Sequence, residues 1–225
     1  MAEKIVPYEE TVFVDTTKAV WNYSLFTEED IRNFENGTHY SLYKLFGSHA
    51  LTVLNKKGYY FAVWAPNATY ISVVGDFNQW DTHAHPLFVR LEKSGIWEGF
   101  IPEVAEYSNY KYFIIGYEGA HLYKGDPFAY HWELRPRTAS KTKNMQYEWN
   151  DSAWMDKRKD FNSLQSPWSI YEVHLGSWMK PNPWDEDSFN SYNQLAELLV
   201  PYVKKMGFTH VEFMPVMEFP FDGSW

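Results

Sequence analysis

Two side chains of this sequence, Trp80 and Lys111, have the chemistry to bind a sugar. Trp80 ends the run Gly75-Asp-Phe-Asn-Gln-Trp80, which follows strand-like alternation and so places the indole on a loop. An exposed indole offers a flat apolar face on which a sugar ring stacks, and a lysine donates hydrogen bonds to hydroxyl groups. The alternative is that Trp80 closes a β core and Lys111 is a solvated strand residue. Phe77 is the better candidate for the buried aromatic of this run, which favours the exposed platform.

Four acidic residues lie on or after two predicted strands near the end of the sequence: Glu172, Glu212, Glu218 and Asp222. Cleavage of a glycosidic bond with retention needs two carboxylates about 5 Å apart across the bound sugar. Nothing in the spacing places these four residues so, and we predict structural roles for them, such as bonding to loop amides or pairing with a lysine. His174 is likewise predicted to be a structural histidine with a satisfied partner. The spacing therefore assigns a catalytic role to none of these five residues.

A metal site is a weak possibility at His83-Ala-His85, because two histidines one residue apart in a predicted turn lack a third ligand. An ordinary surface turn is the default interpretation. The sequence contains no cysteine, which excludes disulfides, a thiolate nucleophile and a cysteine-type zinc site. We predict no metal and no cofactor.

Composition limits the partners. The formal net charge is −9 and no lysine or arginine cluster appears, so nucleic acid and anionic membranes are excluded as predicted partners. A neutral glucan needs no charge steering. Aromatic residues make up 20% of the chain, which fits either a β core or sugar-stacking surfaces. No apolar run approaches a membrane span, and the first residues lack a signal-peptide core, so we predict a cytoplasmic protein.

The residues above are positioned by secondary-structure elements, and the hydrophobic pattern that predicts these elements changes along the chain from a helical period to a period of two. Residues 1–36 are predicted to form a helical leader, with a helix that begins after Thr27 and ends near Gly37. Residues 37–146 show a period of two in several short runs separated by turn residues, which predicts an antiparallel β-sandwich. The five runs cover residues 59–66, 70–75, 87–91, 96–101 and 110–115.

The last part of the chain has another pattern. Residues 147–166 are polar and charged and are predicted to be a linker. Within 167–225, a strand at 170–174, a helix that begins after Ser191 and is interrupted at Pro201, and a strand at 211–214 predict a parallel βαβ unit.

Several of these motifs together resemble a known family. The segments are Leu42–His49, Phe61–Asn67, Ser94–Glu98, Asp126–Ala129, Tyr171-Glu-Val-His-Leu-Gly-Ser-Trp178, Leu198–Pro215 and Phe219–Trp225. They resemble the glycogen branching enzymes, 1,4-α-glucan 6-glycosyltransferases of the α-amylase superfamily, over residues 24–225. The region around Gly75–Trp80 resembles the glycogen- and starch-binding module of glucan-processing enzymes. In such modules a tryptophan at the Trp80 position and a lysine at the Lys111 position contact sugar, and Tyr117 or Tyr123 loosely matches a further aromatic.

The resemblance implies an immunoglobulin-like antiparallel β-sandwich followed by the first βαβ unit of a (β/α)₈ TIM barrel. A complete barrel takes about 250 residues, so the barrel is expected to be truncated here. The family cleaves an α-1,4 bond and transfers the chain to a 6-hydroxyl, using an Asp nucleophile and a Glu acid/base on later barrel strands. These have no matching position, so the fragment alone is expected to be inactive, with α-glucan as its partner.

Two alternatives stay open. One is a stand-alone glucan-binding module, which the βαβ pattern disfavours because such a module has no use for half a barrel repeat. The other is a fragment of a debranching isoamylase relative or of a trehalose-forming hydrolase. Leu175-Gly-Ser-Trp178 after the first strand disfavours that alternative.

Overall fold

The computed structural model describes residues 14–134, 136–161 and 165–217. Within these ranges the chain divides into one compact unit at residues 14–146 and another at residues 147–217. Glu218, Asp222, the Phe219–Trp225 motif and the first 13 residues of the predicted leader lie outside the described residues. None of the helices in the described part of the chain is long and apolar enough to cross a membrane.

The first unit contains two antiparallel sheets, as the period-two runs predict. One sheet has the strand order β1-β2-β5-β4, and the other has the order β3-β6-β9-β8, with β7 also paired to β6. The elements are α1 Glu28–Glu35, β1 Gly47–Val53, β2 Lys56–Trp64, β3 Ala68–Gly75, β4 Phe88–Val89, β5 Ile96–Pro102, β6 Asn109–Gly116, β7 His121–Lys124, β8 His131–Trp132 and β9 Ser140–Lys141.

The main core of this unit is built from alternate residues of the two sheets. Strand β2 contributes Tyr59, Phe61 and Val63, β3 contributes Ile71 and Val73, and β6 contributes Tyr110 and Tyr112. Because successive strand residues point to opposite faces, this alternation leaves Asn109, Lys111 and Phe113 of β6 on the other face of their sheet.

The segment before β1 covers the opposite face of the first sheet. Trp21, Phe26 and Ile31 are buried with Phe46 and residues of β2 and β5 in a second cluster. Thr27 caps α1 as predicted: its side chain accepts from the Asp30 amide while Asp30 bonds back to the Thr27 amide. The described part of the predicted leader therefore shares a core with the sheet.

A buried carboxylate joins the leader segment to the first sheet. Glu98 on β5 accepts hydrogen bonds from the Tyr60 hydroxyl and from Ser24 Oγ at 2.9 Å. Its second oxygen lies 2.7 Å from an Arg90 guanidinium nitrogen. Burial raises the pKa of Glu98, and these hydrogen bonds and the Arg90 charge oppose that shift.

A second carboxylate, Asp126, is fully buried beside β6. It accepts from the Tyr110 hydroxyl at 2.6 Å, the Tyr112 hydroxyl at 3.1 Å and the Phe128 amide at 2.8 Å. Burial raises the pKa of Asp126 to about 6, and the hydrogen bonds from the two tyrosines and the amide limit that shift.

The second unit contains α2 Ser152–Phe161, β10 Ile170–Val173, α3 Tyr192–Met206 and β11 His210–Phe213. Strands β10 and β11 pair in parallel, and Val173 is buried against Leu199 and Val203 of α3. The predicted strand-helix-strand pattern is therefore confirmed.

The structure differs from the sequence expectations at two places in this unit. Helix α2 lies within residues 147–166, the segment predicted to be a linker. Its residues 152–160 are exposed all round, so the helix has no apolar stripe to reveal it in the sequence. Helix α3 also continues through Pro201, because Leu195, Leu199 and Val203 bury one face on both sides of the proline.

Candidate functional site

The loop after β3 holds Trp80 in an unusual backbone conformation. A short 3₁₀ turn over Asp76–Asn78 leads to Gln79 and Trp80, whose φ angles are 55° and 62°. Two consecutive non-glycine residues in the left-handed region cost about 1–2 kcal/mol each unless the surroundings hold them. The Trp80 amide donates to the Gly75 carbonyl at 3.0 Å, which closes the loop.

Asn78 organises the same loop from its inner side. Its Oδ1 accepts from the Gly75 amide at 2.9 Å, and its Nδ2 donates to the Val73 carbonyl at 2.9 Å. Nδ2 also lies 2.8 Å from Nδ1 of His85, whose pKa is lowered by burial. A neutral His85 can accept this hydrogen bond, so the residue has a structural role in the loop.

Gly75 is required where the loop leaves β3. A Cβ atom there would lie 2.2 Å from the Asn109 carbonyl oxygen and 2.8 Å from the Phe77 ring. This close approach lets Phe77 pack against the core while the loop turns outward. The aromatic of the motif that packs on the core is thus Phe77.

The Asp76 carboxylate connects Trp80 to strand β6. Its Oδ1 accepts from the Trp80 indole Nε1–H at 3.1 Å. Its Oδ2 accepts from the Asn109 side-chain amide at 2.8 Å and lies 3.4 Å from the Asn109 backbone nitrogen. The Trp80 side chain is 36% exposed, so its polar edge is bonded to the protein while part of the ring meets solvent.

Lys111 lies two residues beyond Asn109 on the same face of β6, opposite Val74 of β3. Its Nζ donates to Thr138 Oγ1 at 2.8 Å, in the connection between β8 and β9. The ammonium group is therefore bonded to a neighbouring loop and keeps further donors for other partners.

A polar cavity of about 360 Å³ lies beside these residues, and sequence reasoning did not find it. In the described part of the chain, the Asn109 side-chain oxygen is buried and has no hydrogen-bond partner. Pairing of β6 with β9 places Lys141 opposite Asn109 and so brings distant parts of the chain together. The lining residues are Asn109, Glu133, Leu134, Pro136, Arg137 and Lys141.

The two tyrosines considered as further sugar contacts differ in position. Tyr123 on β7 lies opposite Phe113, with ring centres 5.1 Å apart, and therefore shares the outer face with Lys111. Tyr117 lies in the connection between β6 and β7 and is 85% exposed. Either ring has an open face.

In the second unit the structure brings two predicted residues together. Glu172 and Glu212 are direct register partners in the parallel pair β10–β11, and both are exposed. A carboxylic acid that donates a proton near neutral pH usually owes its proton to burial, which this pair lacks. His174 Nδ1 lies 2.9 Å from Ser177 Oγ, as expected of a histidine with a partner.

No group of three metal-ligating side chains occurs among the residues that the structure describes. The second unit also contains an apolar cavity of about 400 Å³ beside α3. It is lined by Leu175, Tyr192, Leu195, Ala196, Leu199, Val200, Phe213 and Val216.

The first unit and the chain as a whole are similar to known proteins. Residues 45–129 match the model of the family described as carbohydrate-binding module 48 (isoamylase N-terminal domain). The resemblance to the branching enzymes is also confirmed. The chain is 50% identical over 205 residues to 1,4-alpha-glucan branching enzyme GlgB of Aquifex aeolicus (strain VF5), with 90% of this chain and 32% of that protein covered. The corresponding enzyme of Gloeobacter violaceus is 48% identical, with 90% and 28% covered.

This chain spans about a third of the length of these curated relatives. Among solved structures, apo pullulanase from Klebsiella pneumoniae gives a TM-score of 0.53 at 20% identity, covering 80% of this chain and 21% of that one. The maltotriose complex of PulA from the same organism gives 0.54 at 21% identity, covering 80% and 21%. At this identity the likeness concerns the fold alone.

Proposed function

We propose that this chain is part of a 1,4-α-glucan branching enzyme and that the face of its first unit around Trp80 binds α-glucan. The observation that carries the proposal is the identity of 50% over nine-tenths of the chain to a branching enzyme. The debranching alternative has less support, because the similar pullulanase structures are only 20–21% identical.

The glucan site is proposed to comprise Trp80, Lys111 and the polar cavity that contains Asn109. An aromatic face beside convergent amide, carboxylate and cationic groups suits a sugar, which has apolar ring faces and hydroxyl edges. The cavity volume of about 360 Å³ lies in the range of small-molecule sites. Asn109 lines this cavity, and the charged side chains of Lys141, Arg137 and Glu133 around it can donate to or accept from sugar hydroxyls.

A change at Trp80 tests the glucan site. Trp80→Ala should weaken retention of the chain in a glycogen affinity gel by about five- to tenfold, equivalent to about 1–1.4 kcal/mol. Because Trp80 is 36% exposed, the change should cost less stability than the roughly 3–5 kcal/mol of a core tryptophan.

Trp64 offers a matched control for this experiment. It is 55% exposed, and its indole N–H also bonds to the chain, at the Ser94 carbonyl. Trp64→Ala should leave retention unchanged. A stable Trp80→Ala variant with parental retention would remove Trp80 from the site, and early loss of the melting temperature would assign it to the core.

Residues 167–225 are proposed to be the first βαβ unit of a (β/α)₈ barrel. They would follow a helical leader at 1–36, a β-sandwich module at 37–146 and a linker at 147–166. Parallel β10 and β11 with α3 between them in sequence fit such a repeat. The apolar cavity beside α3 fits a surface that further repeats would cover. A stand-alone binding module would not need this surface.

The proposed reaction is cleavage of an α-1,4 bond and transfer of the released chain to a 6-hydroxyl. None of the described carboxylates of the second unit is buried, so the 225-residue chain by itself should bind glucan without branching it. Iodine staining of amylose, with a reducing-end assay after debranching, measures this. New α-1,6 branches made by the purified chain would contradict the expectation.

The proposal also places the protein in the cytoplasm. A chain without cysteine is compatible with that reducing compartment. Fractionation of cells that carry the native gene would test the location.

A further inference from the structure

We infer that Asp76 is a positioning residue for glucan binding, which holds the Trp80 indole in its binding orientation and ties it to Asn109. This inference rests on the proposed glucan site. It concerns a side chain that does not itself have to touch the sugar, because it acts through Trp80 and Asn109.

The first observation is that the two carboxylate oxygens of Asp76 serve different partners. Oδ1 accepts from the Trp80 indole at 3.1 Å, while Oδ2 accepts from the Asn109 side chain at 2.8 Å. A single side chain therefore links the aromatic platform to the wall of the polar cavity, across 33 residues of sequence. An asparagine or a serine could not accept from both partners with two equivalent oxygens.

The second observation is that Asp76 itself is exposed and so contributes little to the apolar core. Apart from this carboxylate, the position of Trp80 depends on a left-handed backbone at residues 79 and 80 and on the amide bond to Gly75. Those features orient the backbone, and the packing around the indole, which is 36% exposed, covers the rest of the ring. The hydrogen bond from Asp76 to the ring nitrogen further restricts the side-chain torsions of the indole.

The physical consequence is preorganisation. A ring that is already held in its bound orientation loses less side-chain entropy when the ligand arrives. Loss of the Asp76 carboxylate should therefore weaken binding about two- to tenfold, the range expected for immobilising one side chain. The bond from Asp76 to Asn109 should add to this effect, because it fixes the side chain of a residue that lines the polar cavity.

Isothermal titration with maltoheptaose tests the inference on the full 225-residue chain. Asp76→Ala should raise the Kd about two- to tenfold with little change in melting temperature, and Asp76→Asn, which keeps one acceptor for the indole, should recover part of the affinity. Glu29→Ala, on the exposed surface of α1, is the control and should bind like the parent.

A variant cycle separates positioning from a general structural role. Trp80→Phe keeps the aromatic face but lacks the ring N–H, so adding Asp76→Ala to it should weaken binding less than in the parent. In nitrogen-15 spectra, the indole peak that Trp80→Phe removes should shift in Asp76→Ala, while the peaks of the other ten tryptophans stay in place.

The possible results distinguish failure of the proposed glucan site from failure of the positioning role of Asp76. If Trp80→Ala binds maltoheptaose as well as the parent, the glucan site is wrong and the role of Asp76 falls with it. If Trp80→Ala loses affinity but Asp76→Ala does not, only the positioning role is overturned. Equal losses from Asp76→Ala in the parent and in Trp80→Phe, or shifts of many indole peaks, would also overturn it.

Discussion

The two units of this chain use their aromatic residues in opposite ways. In the first unit, Tyr60, Tyr110, Tyr112 and Phe100 are fully buried among strands of the sandwich. Among the described residues of the second unit, the buried hydrophobic residues are Val173, Leu195, Leu199 and Val203, while Trp149, Trp154, Trp168 and Trp184 are exposed. Aromatic side chains therefore form a buried β core in the first unit, whereas in the second unit they contribute exposed apolar surface.

This difference predicts unequal stability. In the second unit a two-stranded sheet packs against one helix, α3, and buries little apolar surface, whereas the first unit buries both faces of one sheet.

Hydrogen exchange should separate the units most strongly. Amides of β2 and β6 should exchange only through global opening, while those of β10 and α3 should exchange roughly 100-fold faster or more through local opening. Mass spectrometry of peptides from the native chain measures both sets at once. Uniform protection across the two units would show that the small core of the second unit is stabilised in another way.

Core truncations should act on one unit at a time. Phe100 is fully buried between the leader segment and the first sheet, so Phe100→Ala should lower the free energy of unfolding of the first unit by about 3–5 kcal/mol. Leu199→Ala should cost the second unit about 2 kcal/mol or more and leave the first transition in place. Urea unfolding followed by circular dichroism, with Glu29→Ala as an exposed control, checks this. A shift of both transitions by either change would contradict independent units.

The buried Asp126 should make the first unit sensitive to pH. Its pKa of about 6 in the folded state exceeds the ordinary value of 3.8. The contribution of this group to stability is therefore fully present below about pH 4 and is lost as the pH rises through 6, by up to about 3 kcal/mol. The raised pKa of Glu98 acts in the same direction.

Comparison of the parent with Asp126→Asn isolates this effect, because the variant cannot titrate at that position. The difference in unfolding free energy between the two proteins should change between pH 4.5 and pH 7.5 in the direction given. A constant difference would mean that Asp126 does not change its protonation on folding.

The smallest expected effect concerns the paired acids of the second unit. Glu172 and Glu212 lie side by side in β10 and β11, and like charges in directly opposed positions destabilise a sheet. Glu212→Gln should therefore stabilise the second unit by about 0.2–1 kcal/mol at neutral pH, an effect that salt reduces. Glu197→Gln on α3 is a suitable control. A loss of stability would indicate that the two carboxylates have a favourable shared partner.

Local sequence was sufficient for most of the strands and for the helix starts. The alternation of residue types in β2 and β6 predicts which face of each strand is buried. The side chains of Thr27 and Ser191 accept a hydrogen bond from the backbone amide of the third residue of the helix that follows them, as the capping pattern predicts. Helix α2 was missed because an entirely exposed helix has no apolar period to detect.

Part of the candidate site depends on contacts that the local sequence does not determine. The loop at Gly75–Trp80 could be predicted from the local sequence, because a glycine with turn residues and an aromatic residue after a strand is a local pattern. The bond from Asp76 to Asn109, the cavity beside Lys141 and the pairing of Glu172 with Glu212 depend on strand register over long sequence separations. Register is selected by the burial of whole sheet faces, so these contacts were decided only when the tertiary structure formed.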